Sequence, residues 1–489
     1  MTLHLSIMLW LPAFGGLMGA LAGRRAAGWF AFAGALGALA YAIALVGDFK
    51  SGSGLQYVTD DVWIAAIGTH YKLGVDGLNL FLVLLTTVSF TATTLWSVLK
   101  VNVDRPGIYY FWLGLAQSAV LGALLAQDLL LFTVFFDLML VPFLFLTGMF
   151  GGENRIRAII RLFIYTLVGS LLMLAAAIAT AVLASGSNPV SFVFSDLAHS
   201  GGLSHGSQNW IFLFFAAAFL IKMPAFPFHG WMPEGYLNMP LPVLAVFSGV
   251  LSKVAAYGFL KISLPFFPYA AHHYQTLILL IALASILYGS AMAFTTTNAR
   301  LVLGYSSVAQ LGFIVLGIFS LQSSGQQGAL LQMVNHGLVV MPAFLIVALL
   351  AARSGGSEDL REMGGGAFRA PVLAALFLIV ALATLAMPGS SNFAGEFLIL
   401  QGIFTEKIAI AFIASIGVAM AAVYMLRLFI STMHNREYPQ GSSRELALKD
   451  GLVIVPLVLT ILAFAVFPQV ALERSESSIN AVTQIAAVR

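Results

Sequence analysis

The sequence predicts an all-α, polytopic membrane protein of about fourteen transmembrane helices, with two inverted five-helix repeats and broken helices seven and twelve. Three observations carry that expectation. Of the 489 residues, 60% are hydrophobic and only 9% are charged. Apolar runs of about 20 residues, long enough to cross a bilayer core, recur from end to end. Two of those runs are interrupted by proline or glycine clusters beside an ionisable residue, an arrangement membranes tolerate only within protein or beside water.

In order, the spans are expected near 3–22, 28–47, 78–99, 109–126, 129–150, 159–184, 209–228, 242–261, 276–295, 301–321, 327–351, 371–402, 408–431 and 450–467. Ala20-Leu21-Ala22 resembles a signal-peptidase site, but Arg24 and Arg25 follow the first run instead of preceding it. A signal peptide carries its positive charge in front. The first run is therefore expected to be a retained helix with its N-terminus outside. An even number of crossings then places both termini on the outer side. That topology puts fourteen of the 23 lysines and arginines on the inner side, Arg155, Arg157, Arg161, Arg300 and Arg436 among them, against six outside, which satisfies the positive-inside rule. Lys222, Lys253 and Arg427 fall within spans, and Arg427 lies near enough to an inner end to snorkel.

The seventh span breaks after Lys222, where Pro224 and Pro227 follow, because proline removes a backbone N–H and cannot continue the ladder. The twelfth is too long for one simple crossing and holds Met387-Pro388-Gly389-Ser390-Ser391-Asn392 before Glu396. Pro224 and Pro388 stand 164 residues apart, and the same offset carries the starts of spans four to eight close to those of nine to thirteen. Two adjacent units with an odd number of crossings must run in opposite senses, a plan recurrent in transporters. The expected organisation is three N-terminal helices (1–108), one five-helix unit (109–261), a second, inverted one (262–432), and an inner loop, final helix and tail (433–489).

Ionisable residues deep in apolar spans are costly and mark pathways. Asp137 stands in FTVFFDLMLVPFLF without a charged neighbour in its own helix, and Lys222 is its candidate partner. Lys253, in VFSGVLSKVAAYGF, lies among small and hydroxyl residues that permit close packing and water access. Burial and an acidic neighbour act in opposite senses on a lysine's proton affinity, so moving the acid loads or releases a proton. His336, which titrates nearest neutrality, is placed to connect the two halves, and Glu396 to deliver protons outward. A buried Asp–Lys pair can equally fix helix register without moving anything. His229, Glu234 and Asp76, at span ends, read as structural.

With no cysteine, the chain has no disulfides, thiolate iron–sulfur sites or Cys-ligated zinc. It carries no phosphate loop, HExxH or nucleophile elbow. A net charge of +3 on this length asks for no nucleic-acid partner.

Taken in order, YKLGVDGLNL, LLAQDLLLFTVFFDLMLVP, FIYTLVGSLLML, IKMPAFPFHGWMPE, SGVLSKVAAYG, GYSSVAQLGF, NHGL and AMPGSSNFAGEF resemble the antiporter-like membrane subunits of respiratory complex I, NADH:quinone oxidoreductase, and their bacterial M-type branch in particular. The resemblance covers nearly the whole chain. It implies a proton channel of two inverted units in a bacterial inner membrane, driven by NADH oxidation and quinone reduction elsewhere. NADH, FMN, iron–sulfur clusters and quinone would then sit in partner subunits, with no cofactor in this chain. Its partners would be the other complex I membrane subunits, antiporter-like neighbours included, and the lipid bilayer. By the same resemblance Asp137 stands at the family's fifth-helix glutamate, Lys222 at its broken-helix lysine, Lys253 at its eighth-helix lysine, His336 at its eleventh-helix histidine and Glu396 at its twelfth-helix acid.

There are departures from the family pattern. Aspartate at 137 is one methylene shorter than glutamate, so its reach to Lys222 depends on the backbone. Gln310 stands where the M-type often has histidine, and glutamine can hold a water chain but does not exchange protons. The motifs at Trp231–Tyr236, Asn238–Pro240 and Thr297–Arg300 also differ. Two other readings stay open: a subunit of a multisubunit sodium/proton antiporter of the same architecture, and a scaffold subunit that moves no ion.

Overall fold

A computed structural model of the chain describes residues 4–187, 189–199, 202–434 and 445–487. The expected positions of Arg436, Arg444 and Arg489 lie outside the described residues. The helices are α1 (Leu5–Leu21), α2 (Ala27–Asp48), α3 (Leu80–Lys100), α4 (Pro106–Leu125), α5 (Leu129–Phe150), α6 (Arg155–Ser185), α7 (His205–Lys222), α8 (Leu241–Phe266), α9 (Gln275–Thr295), α10 (Ala299–Ile318) and α11 (Ser323–Arg353). They continue as α12 (Pro371–Thr384), α13 (Ser391–Glu406), α14 (Ile408–Met433), α15 (Leu448–Val466) and α16 (Gln469–Ala487), with short helical turns between. Among the described residues, eleven helices are long and apolar enough to cross a membrane.

Because lipid is as apolar as leucine, hydrophobicity does not separate the inside of such a bundle from its outside; residue size does. In α6 the buried face carries Ala158, Thr166, Gly169, Ala176 and Thr180, while Ile156, Ile160, Phe163, Leu167 and Leu171 face outward. Small residues let backbones touch. A Cβ at Gly15 would meet the Phe30 carbonyl at 2.8 Å, so only glycine permits this α1–α2 crossing. At the centre, the apolar stretch of α8 is wholly buried and those of α10 and α11 nearly so, whereas only a third of the residues in the corresponding stretches of α2, α6, α14 and α15 are buried.

Two elements escape a reading by apolar runs. The segment between α2 and α3 folds as an antiparallel hairpin, β1 (Gln56–Ile64) with β2 (Thr69–Val75), pairing Asp60 with Lys72 and Val62 with His70. The tail, expected only as a tail, forms the amphipathic helix α16. It lies on α11 through Ser323 to Asn480 at 2.5 Å and Thr483 to Gln326 at 2.6 Å. Both elements are too polar to register as spans.

In the hairpin Asp60 is contacted by Lys72 and by His70, each at 2.7 Å. Burial alone would raise the Asp60 pKa, but hydrogen bonds from Lys72 and His70 outweigh it and hold the carboxyl below its ordinary value. A carboxyl depressed in the folded state contributes stability above its unfolded pKa and loses it as pH falls through the folded one. The hairpin is therefore expected to keep its amide protection at neutral pH and to lose it only in acid, below the usual aspartate range. Hydrogen exchange across residues 56–75 in a pH series measures this, and Asp60→Asn should remove the acid transition.

Candidate functional site: a row of buried polar groups

The row begins in α5. Pro142 offers no N–H, and the helix turns at Met139-Leu140, where the Met139 N–H bonds the Phe135 carbonyl and the Leu140 N–H shifts to the Asp137 carbonyl. The Phe136 carbonyl, freed from the regular ladder, accepts from Lys222 Nζ, which also lies 3.8 Å from the Phe136 ring centroid. Lys222 ends α7, as expected, and the backbone leaves the helix immediately after it. Trp231 Nε1 satisfies the Ile221 carbonyl at 2.9 Å, so the break is held from within.

Asp137 does reach Lys222, but at 3.9 Å, an ion contact outside hydrogen-bond range. Its carboxylate instead accepts from Ser170 of α6 at 2.5 Å. One expectation needs correcting here. Asp137 is not enclosed within the chain: its side chain is 35% exposed against 6% for Lys222, because the α5 turn places it at the flank between α5 and α6.

From Lys222 a small cavity lined by Thr166, Tyr236, Phe247 and Ser252 leads to the hydroxyl beside Lys253. Lys253 sits between two π-helical turns, Phe247–Leu251 and Phe259–Ser263. Such turns widen the helix and release carbonyls. Lys253 Nζ donates to the Ser248 carbonyl at 2.7 Å and contacts Ser252 Oγ at 3.3 Å. Ser248 Oγ lies 3.4 Å from Ser307 Oγ of α10, which joins the two halves. Beside this junction α8 and α11 nearly touch, since a Cβ at Gly337 would meet the Gly249 carbonyl at 2.6 Å. The adjacent His336 is buried with neither ring nitrogen hydrogen-bonded among the described residues.

In the second half Glu396 is enclosed on α13, just past the break between α12 and α13. Gln310 Nε2 donates to its carboxylate at 2.8 Å, and Gln332 Nε2 donates to Gln310 Oε1, also at 2.8 Å. Gln310 thus occupies a fixed bridging position between α10, α11 and α13. Asn335 donates to the Ser391 carbonyl at 2.6 Å. Gln332 Oε1, Asn335 Oδ1, Ser391 Oγ and both side-chain polar atoms of Asn392 are buried without partners among the described residues.

The structure thus brings Lys222 together with Asp137, and Glu396 with Gln310, while Lys253 and His336 flank the α8–α11 contact. Sequence reasoning missed Ser170, Ser307, Gln332 and Asn335, and saw Ser248 only as one of the hydroxyls around Lys253. Gln332, Asn335 and His336, at i, i+3 and i+4 within the otherwise apolar stretch 328–352 of α11, were the available signal.

It also missed buried charges outside the row. Arg300 is enclosed between Glu358, which takes it in a fork, and the carbonyls of Tyr236, Leu237 and Met239 at 2.8–3.0 Å. Asp450 is buried against Lys100 at 2.8 Å. The Asp76 carboxylate accepts from the Leu78 and Asn79 N–H groups in the turn just before α3 and binds Lys261 at 2.6 Å. Glu234 pairs with Arg161 at 2.9 Å, and His229 packs on Phe226 and Tyr288.

Residues 126–423 match the family model described as NADH:quinone oxidoreductase/Mrp antiporter, transmembrane. The chain is 32% identical over 483 residues to NADH-quinone oxidoreductase subunit M of Rhodobacter capsulatus, covering 95% of this chain and 93% of that one. The chain belongs to the NADH:quinone oxidoreductase/Mrp antiporter membrane-subunit family. Subunit M of Mycobacterium tuberculosis is 34% identical over 487 residues, 92% of this chain and 88% of that one. A chain of respiratory complex I from Thermus thermophilus superposes with a TM-score of 0.91 at 30% identity, covering 99% of this chain and all of that one. A chain of the Mrp complex from Dietzia shares the fold, with a TM-score of 0.85 at 21% identity and full coverage of both. The family model spans the whole row from Asp137 to Glu396.

Proposed function

We propose that this chain is the proton-translocating membrane subunit of a bacterial NADH:quinone oxidoreductase, lying in the inner membrane with both termini outside. The observation that supports this best is two buried lysines and a buried carboxylate within enclosed helices, with the Ser248–Ser307 contact between the halves beside Lys253 and the Gln310 and Gln332 amides gathered at Glu396. Buried polar groups with no protein partner are satisfied by ordered water. The unpartnered atoms of His336, Gln332, Asn335, Ser391 and Asn392 would therefore line a hydrated path.

In this reading, a displacement passed from a neighbouring subunit to Asp137 changes its distance from Lys222 and with it the lysine's hold on its proton. The proton crosses the Ser252 cavity to Lys253, passes the Ser248–Ser307 junction and the waters around His336, and leaves by Glu396. Without cysteine the chain offers no thiolate for an iron–sulfur cluster, and the redox groups, FMN and quinone included, would belong to partner subunits.

The test is to isolate the chain gently with its native partners. NADH:quinone activity and a flavin and iron–sulfur arm in the isolate are expected. Small membrane partners with sodium-dependent exchange and no redox protein would instead favour the antiporter reading, to which the shared Mrp fold lends some support.

Glu396→Gln is the variant that separates passage from packing. It keeps the size of the side chain and can still accept from Gln310. Assembly should be unchanged, while proton release slows on the order of a hundredfold, the scale of losing one positioned proton-transfer group. Acidification driven by NADH in sealed vesicles is the readout, and an unaltered rate would remove Glu396 from the path.

A further inference from the structure

A second site lies away from the row, at the end of the bundle where α2 and α4 begin. The turn between α1 and α2 and the loop between α3 and α4 enclose a predominantly polar cleft lined by Arg24, Arg25, Trp29, Asn102, Pro106 and Tyr110. Gly28 forms part of its wall. A Cβ there would meet Val98 at 2.7 Å and the Tyr110 ring at 2.9 Å, so glycine lets the ring reach the cleft.

Three features of the cleft point to one kind of ligand. Arg24 and Arg25 are exposed and form no ion pair or hydrogen bond with the described residues, so two guanidinium groups face the opening uncompensated. Asp104, the nearest acid in sequence, does not line it. Tyr110 is only 4% exposed, yet it lines the cleft, and among the described residues its hydroxyl has no hydrogen-bond partner. A buried ring presenting an unpaired donor beside two free arginines is suited to phosphate oxygens.

The third feature is position. α2 and α4 are both long and apolar enough to cross a membrane, and the cleft lies where they start, which for a spanning helix is the headgroup region. Leu21, Trp29, Phe30 and Ile108 are exposed around it, an apolar skirt against which acyl chains can lie. Basic pockets between membrane helices, with tryptophan at the interface, are the usual receptors of acidic headgroups.

We infer that the cleft formed by Arg24, Arg25, Trp29 and Tyr110 is a binding site for the phosphate headgroup of an anionic phospholipid. The guanidiniums neutralise the phosphodiester, the Tyr110 hydroxyl donates to one of its oxygens, and the chains descend along α2 and α4. The site is independent of the proton path.

The test uses the assembled complex in nanodiscs of equal parts phosphatidylglycerol and phosphatidylcholine, followed by native mass spectrometry of the retained lipid. Wild type should retain phosphatidylglycerol in preference to phosphatidylcholine. R24Q/R25Q should weaken that retention about tenfold or more, the scale of two interfacial arginines. Tyr110→Phe, which keeps the buried ring and so the fold, should weaken it severalfold, and a photoreactive group at Asn102 should label lipid.

Equal retention in R24Q/R25Q and wild type would overturn the proposal. So would displacement of the bound species by inorganic phosphate with no preference between the two lipids, which would make the site one for free phosphate. Labelling of a neighbouring polypeptide from Asn102 would make the cleft a protein contact.

Discussion

Lys222→Met and Lys222→Arg are both expected to stop proton passage through this chain, and the arginine variant is the more telling. Methionine fills a similar volume but leaves the Phe136 carbonyl without its donor, at a cost of about 1–3 kcal/mol, which a bundle of this size can absorb. Arginine retains the charge, can still donate to that carbonyl and can still lie over the Phe136 ring. If Lys222 only held α5 to α7, arginine would serve nearly as well. A guanidinium does not release its proton in a protein, so a carrier role predicts loss on the order of a hundredfold or more in both variants. The rate of NADH-driven acidification, measured on complex that assembles normally, decides. Pumping at the wild-type rate in Lys222→Arg would reduce the lysine to a structural tie.

The largest expected effect on stability is at Arg300, away from the row. Its guanidinium holds Glu358 and three carbonyls of the loop that follows the α7 break, so one side chain ties that loop to α10 and to the segment after α11. Arg300→Ala leaves a largely buried carboxylate and those carbonyls uncompensated, a loss of about 3–5 kcal/mol. A clear fall in the thermal midpoint of the detergent-solubilised protein is expected, with Arg300→Lys recovering only part because an ammonium lacks the planar fork. A midpoint unchanged in Arg300→Ala would show that the loop is held by other contacts.

Much of the architecture was legible because membranes impose it. Apolar length marked the crossings, and proline and glycine marked the breaks after Lys222 and before Glu396. Lysines at 222 and 253 were conspicuous for their cost in apolar helices. The connections between them were not legible, because they depend on hydroxyls and amides that individually look ordinary. Ser248 and Ser307 matter only because α8 and α10 face each other there, and Gln310 becomes a bridge only when Gln332 and Glu396 arrive from other helices. The π turns around Lys253 have no sequence signature that periodicity could reveal. Arg300 looked like one more inner-loop arginine, since nothing local announces that the chain will fold over it. The partial exposure of Asp137 likewise follows from the α5 turn and the α6 crossing together.

The central claim is that the buried groups form one connected row. It is tested most directly by counting protons moved per NADH oxidised, in sealed vesicles of the assembled complex, for Lys222→Met, Lys253→Met and the two combined. Groups acting in series fail together and their losses do not add. A single row predicts that each change alone removes the same share of the stoichiometry and that the combination removes no more. Losses that add, or a wild-type count in Lys253→Met, would contradict it.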